Sequence, residues 1–523
     1  MSDAYVLAVD LGTGGPKVAL VSTDGEIVGC EFVETSLHLF DRGGAEQNPL
    51  EWWDAIMTGA RSLLGRDLVP VERIVGIGLT SQWSGTVAMD REGRPLGNAV
   101  IWMDTRGSPY IRRVTGGGLA VQGYDVRRLP RWIRLTGGIP GRAGKDPTAH
   151  ILFLEHERPE VFEAADVFLE PVDYLGFRFT GQIAASYDSI TAHWVTDNRD
   201  LANVVYDDEL IAWSGLDRNR LPNLRPTNSV LGAVNDDVAH ELGLDSDIRV
   251  VIGTGDVHSA AVGSGAVGDF EGHLYIGTSS WLTCHVPFKR TDLLRSITTI
   301  PSAIPGRYLV ADEQESAGAC LTFLRDNVFF ADDGLTDGRP DDVYAAFDRL
   351  AGTAPAGSDR VIFTPWLHGE RTPVEDADVR GGFFNLSLRT TRAHLVRAVL
   401  EGVAYNSRWL LESVEKLTKR RLDPINFVGG GATSDLWAQI HADVLGRTIR
   451  QVENPVQANV RGAALLAAMA LGYGRVDDIA SRVPIRATFR PDPRHHTLYG
   501  ELFGEFTNLY RQNRKTHRRL NRR

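Results

Sequence analysis

A glycine-bearing hairpin sequence occurs twice in this 523-residue chain, and the repeat constrains the fold more than any other feature. Near the start the chain reads Tyr5-Val-Leu-Ala-Val-Asp-Leu-Gly-Thr-Gly-Gly-Pro-Lys-Val-Ala-Leu-Val21, and about half a chain later His273-Leu-Tyr-Ile-Gly-Thr-Ser-Ser-Trp-Leu-Thr-Cys-His-Val286. Each copy is an apolar strand, a Gly-Thr turn with two small residues, and a second strand. The turns span Gly12, Thr13, Gly14 and Gly15 in the first copy and Gly277, Thr278 and Ser279 in the second. Such turns offer backbone N–H groups to an anion, because glycine lets the backbone approach closely. Two related domains facing each other, each with a phosphate-cradling hairpin, point to a chain that handles a nucleotide triphosphate.

The length exceeds one ordinary core, so at least two domains are expected. A net charge of −11 argues against general nucleic-acid binding but leaves room for a nucleotide held by local geometry. Cys30, Cys284 and Cys320 are too few and too far apart for a disulfide framework or a zinc site, and they fit a reducing cytoplasm. The opening Met-Ser-Asp-Ala lacks a basic region, which reads as no signal peptide. No uncharged apolar run reaches the ~18 residues of a membrane span. The run Arg511 to Arg523 is strongly basic. It reads either as a tail for nucleic acid or an acidic partner, or as the solvated end of the last helix, and the acidic body favours the second.

Strands are expected at Val6–Val9, Lys17–Val21 and Glu26–Phe32, an antiparallel meander, so the first glycine turn joins two strands. A P-loop would instead open a helix. A helix is expected over Pro49–Leu64 and a buried strand over Ile74–Leu79, ending in the polar run Thr80-Ser81-Gln82-Trp83-Ser84-Gly85. Another polar segment, Trp102-Met-Asp104-Thr-Arg106-Gly107, follows Ile101. Strand ends of this kind are where α/β folds place ligands. Gly116–Gly144 reads as loops and an insertion. Arg249–Gly253 reads as a strand, Val257–Val267 as a helix, and the first domain closes near there, giving domains 1–254 and 255–523. Later come a long helix over Arg392–Leu417, a strand over Ile425–Val428 ending in Gly429-Gly-Gly-Ala432, and helices at Leu436–Leu445 and Arg461–Leu471.

Asp10 ends the first strand beside the glycine turn. A carboxylate next to a phosphate repels it unless a cation lies between, and Mg²⁺ is the natural bridge; the alternative is a turn cap. Asp256 stands at a strand–helix junction, where it can cap the helix or act as a general base on a substrate hydroxyl. Taken alone, the cap is the better reading. Lys17 reads as a phosphate contact or a solvated strand residue, and Gly430 and Gly431 as a close-approach turn for a nucleoside or as a plain loop. Trp83 and Trp102 read as walls of a sugar site or as core.

Seven segments fall in one order: Asp10-Leu-Gly-Thr-Gly-Gly-Pro-Lys17, Ile101-Trp-Met-Asp-Thr-Arg106, Gly255-Asp256, Gly277-Thr-Ser279, Gly369-Glu-Arg-Thr-Pro373, Arg397-Ala-Val-Leu-Glu-Gly-Val-Ala404 and Gly429-Gly-Gly-Ala-Thr-Ser434. Together they resemble the FGGY carbohydrate kinases, most closely the xylulokinase branch, over nearly the whole chain. The resemblance implies an α/β fold of two ribonuclease-H-like domains, of the actin/hexokinase/chaperone-ATPase type, around a central cleft. It implies ATP- and Mg²⁺-dependent phosphorylation of a sugar or polyol, D-xylulose being the best single guess, and another ketose or a polyol the runner-up. By position, Asp256 resembles the catalytic base, Asp10 the metal carboxylate, Thr13, Gly14 and Thr278 phosphate contacts, and Gly430 and Gly431 the adenosine site. Gln82, Trp83, Ser84, Trp102, Asp104 and Arg106 resemble the sugar site. Departures cluster there: Gln82-Trp83-Ser84 stands where Gln-Met-His is usual and Val257 where an amide is usual. His150 replaces a usual Lys, and Asn385 a usual Gly. A chaperone-like or actin-like ATPase and a weakly catalytic sugar sensor are the competing classes. Oligomeric state is not readable, though homodimers are common among enzymes of this kind. With one hairpin on each domain, productive phosphate contact requires the cleft to shut. Solution scattering should therefore show compaction on adding nucleotide together with the true substrate; unchanged dimensions would count against closure.

Overall fold

The computed structural model describes residues 4–334 and 338–521. Met1–Asp3, on which the leader reading rests in part, and Arg522–Arg523 of the basic tail lie outside the described residues.

In the N-terminal lobe, β1 (Tyr5–Gly12) and β2 (Gly15–Ser22) pair antiparallel, with Gly12 facing Gly15 at the turn and Asp10 facing Lys17. β3 (Ile27–Phe32) continues the meander, while β4 (Ile74–Ser81) runs parallel to β1. β5 (Val230–Ala233) lies antiparallel to β6 (Arg249–Val251), which runs parallel to β4, giving the order β5-β6-β4-β1-β2-β3. The two-residue β7 (Thr254–Gly255) pairs with the end of β4. Val6 to Leu11 is buried without alternation, as expected of a strand covered on both faces. Helix α1 (Pro49–Leu64) packs on one side of this sheet; Asn48 caps it by accepting the Leu50 N–H at 2.9 Å, and Pro49 sits in the first turn, where no N–H is needed.

The C-terminal lobe repeats the plan. β8 (Gly272–Ile276) and β9 (Ser280–Thr283) form the second hairpin. β10 (Ile425–Val428) runs parallel to β8 and β11 (Ile449–Val452) parallel to β10, with β12 (Ile485–Phe489) antiparallel at the edge. Hairpin, two parallel strands and an antiparallel edge recur in the same spatial order in both lobes, which establishes the duplication in the backbone.

Gly116–Gly144 corrects the reading of that stretch as loops. It contains helix α2 (Leu129–Thr136), whose Trp132 and Leu135 are buried, with Pro130 in its first turn and Gly137 ending it at φ +97°. Helix α3 (Pro147–Glu157) follows. The lobes join where α4 (Asp256–Gly263) crosses α7 (Ala458–Ala470), the latter lying on β4 and β1; the helices between them in the chain include α5 (Gly318–Leu324) and α6 (Arg392–Thr418). The crossing admits no side chain at its centre. A Cβ on Gly263 would stand 1.8 Å from the Ala458 carbonyl oxygen, and one on Gly462 1.8 Å from that of Ser259. Arg461, 1% exposed, donates from the same point to the carbonyls of Gly25, Gly263 and Glu453. The last helix, α8 (His496–Asn521), lies against an acidic loop: Tyr510 donates to Asp376 at 3.1 Å, Arg514 pairs with Asp376 at 3.3 Å and Arg518 with Asp378 at 3.8 Å. Among the described residues no helix is long and apolar enough to cross a membrane.

Gly462→Val should cost on the order of 3 kcal/mol or more, because backbone rather than a flexible side chain blocks the new atoms. A lowered urea midpoint checks it; an unchanged midpoint would mean that the crossing relaxes freely.

Candidate active site

The ends of β1 and β4 and the start of α4 lie together, with Asp10 beside Thr80 and Gly255 beside Ser81, and Asp10 and Asp256 both act electrostatically on Tyr275 of the second hairpin. Asp10 sits at the end of β1 with 2% of its side chain exposed, and its Oδ2 accepts from Lys17 Nζ at 3.3 Å. Its Oδ1 is buried with no hydrogen-bond partner. A buried, unpartnered carboxylate oxygen is costly unless something neutralises it, so this donor suits a hard cation or one of its waters. Among the described residues no cluster of three His, Cys, Asp or Glu side chains could hold a metal by itself. Mg²⁺ takes few protein carboxylates and completes its shell with water and phosphate, so a single carboxylate oxygen such as that of Asp10 fits it. Lys17 is thus the cross-strand partner of Asp10, a placement that neither sequence reading of it gave.

Asp256 is the first residue of α4, and the cap position falls to Gly255. Its Oδ1 accepts the Val257 N–H at 2.8 Å. Desolvation, then the nearby Asp10 and Glu313 carboxylates, push its carboxyl up to about 8. A carboxylate held high by its surroundings has the basicity needed to draw a proton from a hydroxyl.

The turn of the first hairpin is fastened to the polar segments of the same lobe. Trp102 Nε1 donates to Thr13 Oγ1 at 3.0 Å, and Thr13 Oγ1 donates to Gln82 Oε1 at 3.0 Å. Gln82 Nε2 donates to Gln47 Oε1 at 2.7 Å, and Gln47 Nε2 returns to the Thr13 carbonyl at 2.9 Å. Gln47, which carried no sequence signal beyond preceding a helix, closes this ring. Gly15 holds φ +137°, where a Cβ would strike the Val33 carbonyl. Gly14 and Thr278 are exposed at the two turns. The second turn is braced from behind, with Ala317 N–H on the Thr278 carbonyl at 2.9 Å and Gly318 N–H on the Gly277 carbonyl at 2.8 Å. Gly429, at φ +88°, lets β10 pass Ile276; Gly430 is exposed with open space where a Cβ would stand, whereas Gly431 packs on Ile276 and Trp437.

Asp104 and Arg106 are turned onto each other. Buried Asp104 accepts the Ala45 and Arg106 backbone N–H groups and the Arg106 guanidinium, which also reaches Glu46 at 2.5 Å. They anchor the Trp102 loop. Trp83 and Val257, two separate departures in the sequence, pack into one apolar cluster with Ala261, Ile300 and Leu309. Trp83 donates to the Ser189 carbonyl at 2.9 Å and meets His258 edge-on. Ser84, at φ +66°, donates to the Lys145 carbonyl at 2.9 Å. His150 is fully buried and burial lowers it to about 4, so it is neutral at pH 7. Asn385 holds φ +65°, a conformation Asn tolerates where Gly is usual. Sequence reasoning gave no role to Lys145, Glu313, Glu315 or Arg371, although Arg371 lies in a quoted family segment. Lys145 and Arg371 both pair with Glu315 at 3.0 Å, and Arg371 also pairs with Glu313.

A duplicated two-lobed α/β fold with a glycine hairpin in each lobe and a raised carboxylate at the lobe junction is the architecture of the ribonuclease-H-like phosphotransferases. Residues 5–263 match the FGGY family of carbohydrate kinases, N-terminal domain, and residues 273–471 match its C-terminal domain. The chain belongs to the FGGY family of carbohydrate kinases, and it is a sugar kinase. It is 28% identical to the xylulose kinase of Staphylococcus epidermidis, covering 98% of each chain. It is 26% identical to the gluconokinase of Bacillus licheniformis, over 97% of this chain and 96% of the other. Among solved structures, gluconate kinase from Lactobacillus acidophilus superposes with TM-score 0.85 at 24% identity, over 99% of each chain, a likeness of fold.

The ordinary Asp value lies near 4, so between there and about 8 the folded chain holds a proton on Asp256 that the unfolded chain releases. This contribution to stability is full at low pH and is lost as pH rises through the folded value. Asp256→Asn removes that loss. Its thermal midpoint should exceed wild type by a margin that widens from pH 5 to 8 and then levels off; a constant margin would disprove the raised carboxyl.

Proposed function

We propose that the protein transfers the γ-phosphoryl group of ATP to a hydroxyl of D-xylulose, giving D-xylulose 5-phosphate and ADP. The observation that carries the reading is Asp256, raised in basicity and near Asp10 with its unpartnered oxygen, in a chain with a glycine hairpin in each lobe. Asp256 takes the proton from the sugar hydroxyl as that oxygen attacks phosphorus. The turn amides at Thr13–Gly14 and Thr278–Ser279 bind and orient the phosphates, and Gly430 leaves room for the nucleoside. Asp10 would hold Mg²⁺, directly or through water, and the ion would neutralise charge on the phosphoryl oxygens. Phosphoryl transfer rests mainly on such positioning and neutralisation. Domains 1–254 and 255–523 supply one hairpin each, and the unpaired cysteines fit a cytoplasmic setting.

Trp102, Gln82 and the Trp83–Val257 wall border the sugar. A neutral sugar is favoured over a sugar acid, because Lys145 and Arg371 are already paired with Glu315 and Glu313. A coupled ADP-release assay over pentuloses, tetruloses, hexuloses, polyols and D-gluconate should give its highest kcat/KM with D-xylulose and a far lower one with D-gluconate. Asp256→Ala should lower kcat by about 10²–10⁴-fold, the worth of a placed base. Turnover of another sugar would move the assignment to it, and no turnover of any sugar would refute the reading.

A further inference from the structure

An ion pair crosses the cleft. Lys145 Nζ, on the loop before α3 in the N-terminal lobe, lies 3.1 and 3.0 Å from Oε1 and Oε2 of Glu315 in the C-terminal lobe. Only 13% and 10% of the two side chains are exposed. Removing one partner of such a pair strands a charge in a poorly solvated place.

Each end is tied to one half of the site. On the Lys145 side, the backbone carbonyl takes the Ser84 hydroxyl, and the ammonium lies 5.9 Å from the centre of the Trp102 ring. Trp102 in turn holds Thr13 at the first phosphate hairpin. On the Glu315 side, the N–H rests on Glu370 at 3.1 Å, and the flanking residues grip the second hairpin. Gln314 N–H donates to the Ser280 carbonyl at 2.8 Å, and Ala317 N–H to that of Thr278 at 2.9 Å. Arg371 steadies Glu315 from within its own lobe at 3.0 Å.

We infer that Lys145 and Glu315 form a strut that sets the separation of the two hairpins through the sugar wall when the lobes are together, and that both are positioning residues for phosphoryl transfer. The catalytic part of this inference rests on the kinase reading; the mechanical part does not. Hydrogen exchange read by mass spectrometry on the full chain tests the mechanical part, using wild type, Lys145→Met, Glu315→Gln, the double variant and Lys145→Arg. Each neutral single variant should speed exchange about tenfold in peptides covering 12–18 and 277–283, through local opening. The double variant should go little further than either single variant, since the same link is already cut. Lys145→Arg, which keeps the charge, should stay near wild type and guards against misfolding of the Met variant. In the ADP-release assay, Lys145→Met should lower kcat about tenfold with less than a twofold change in KM for ATP, as expected when alignment rather than affinity is lost. Unchanged exchange at either hairpin or a double variant equal to the product of the singles overturns the strut, and an unchanged kcat overturns its positioning role. If wild type phosphorylates no sugar, the kinase reading falls, and the exchange data alone still decide the strut.

Discussion

The structure depends on a helix crossing that leaves no room for a side chain. Gly263 and Gly462 bring α4 and α7 into backbone contact, and each would drive a Cβ into the other helix's carbonyl oxygens. From that point α4 runs back to Asp256, while α7 lies on the central strands of the opposite lobe. The position of Asp256 relative to the first hairpin is therefore set by main-chain contact, the stiffest reference a protein offers. Arg461 reinforces it with bonds to carbonyls from three segments, Gly25, Gly263 and Glu453.

Around this centre the site is built by ties between distant parts of the chain. The Thr13–Gln82–Gln47 ring joins the first hairpin to β4 and to the entrance of α1. The Asp104–Arg106–Glu46 group secures the Trp102 loop from behind. Groups that read as ligand contacts in the sequence act partly as fasteners, while Asp10 keeps an unpartnered carboxylate oxygen and its charge helps to raise the Asp256 carboxyl.

The repeat, the meander and most helices were legible because their signals are local: strand periodicity, small-residue turns and a Pro or Asn at a helix start. Helix α2 escaped because Arg131 and Arg134 interrupt its short sequence, while its buried apolar face is only Leu129, Trp132 and Leu135. Its start at Pro130 and stop at Gly137 were the available clues. The charged network escaped for a different reason. Lys145 and Glu315 lie in different lobes, and no local pattern announces a contact made only when the lobes dock. Trp83 and Val257 read as two lost polar contacts, whereas packing makes them one apolar substitution shared between lobes.

The two hairpins repeat each other in backbone yet differ in side chains, most plainly at one cross-strand pair. Where the first sets Asp10 against Lys17, the second sets Tyr275 against Trp281, stacked with ring centres 3.9 Å apart. One copy kept ionic chemistry at this position and the other put an aromatic brace there. The duplicated backbone therefore ends in two chemically unlike turns, and the twofold likeness of the lobes stops at the surface they present.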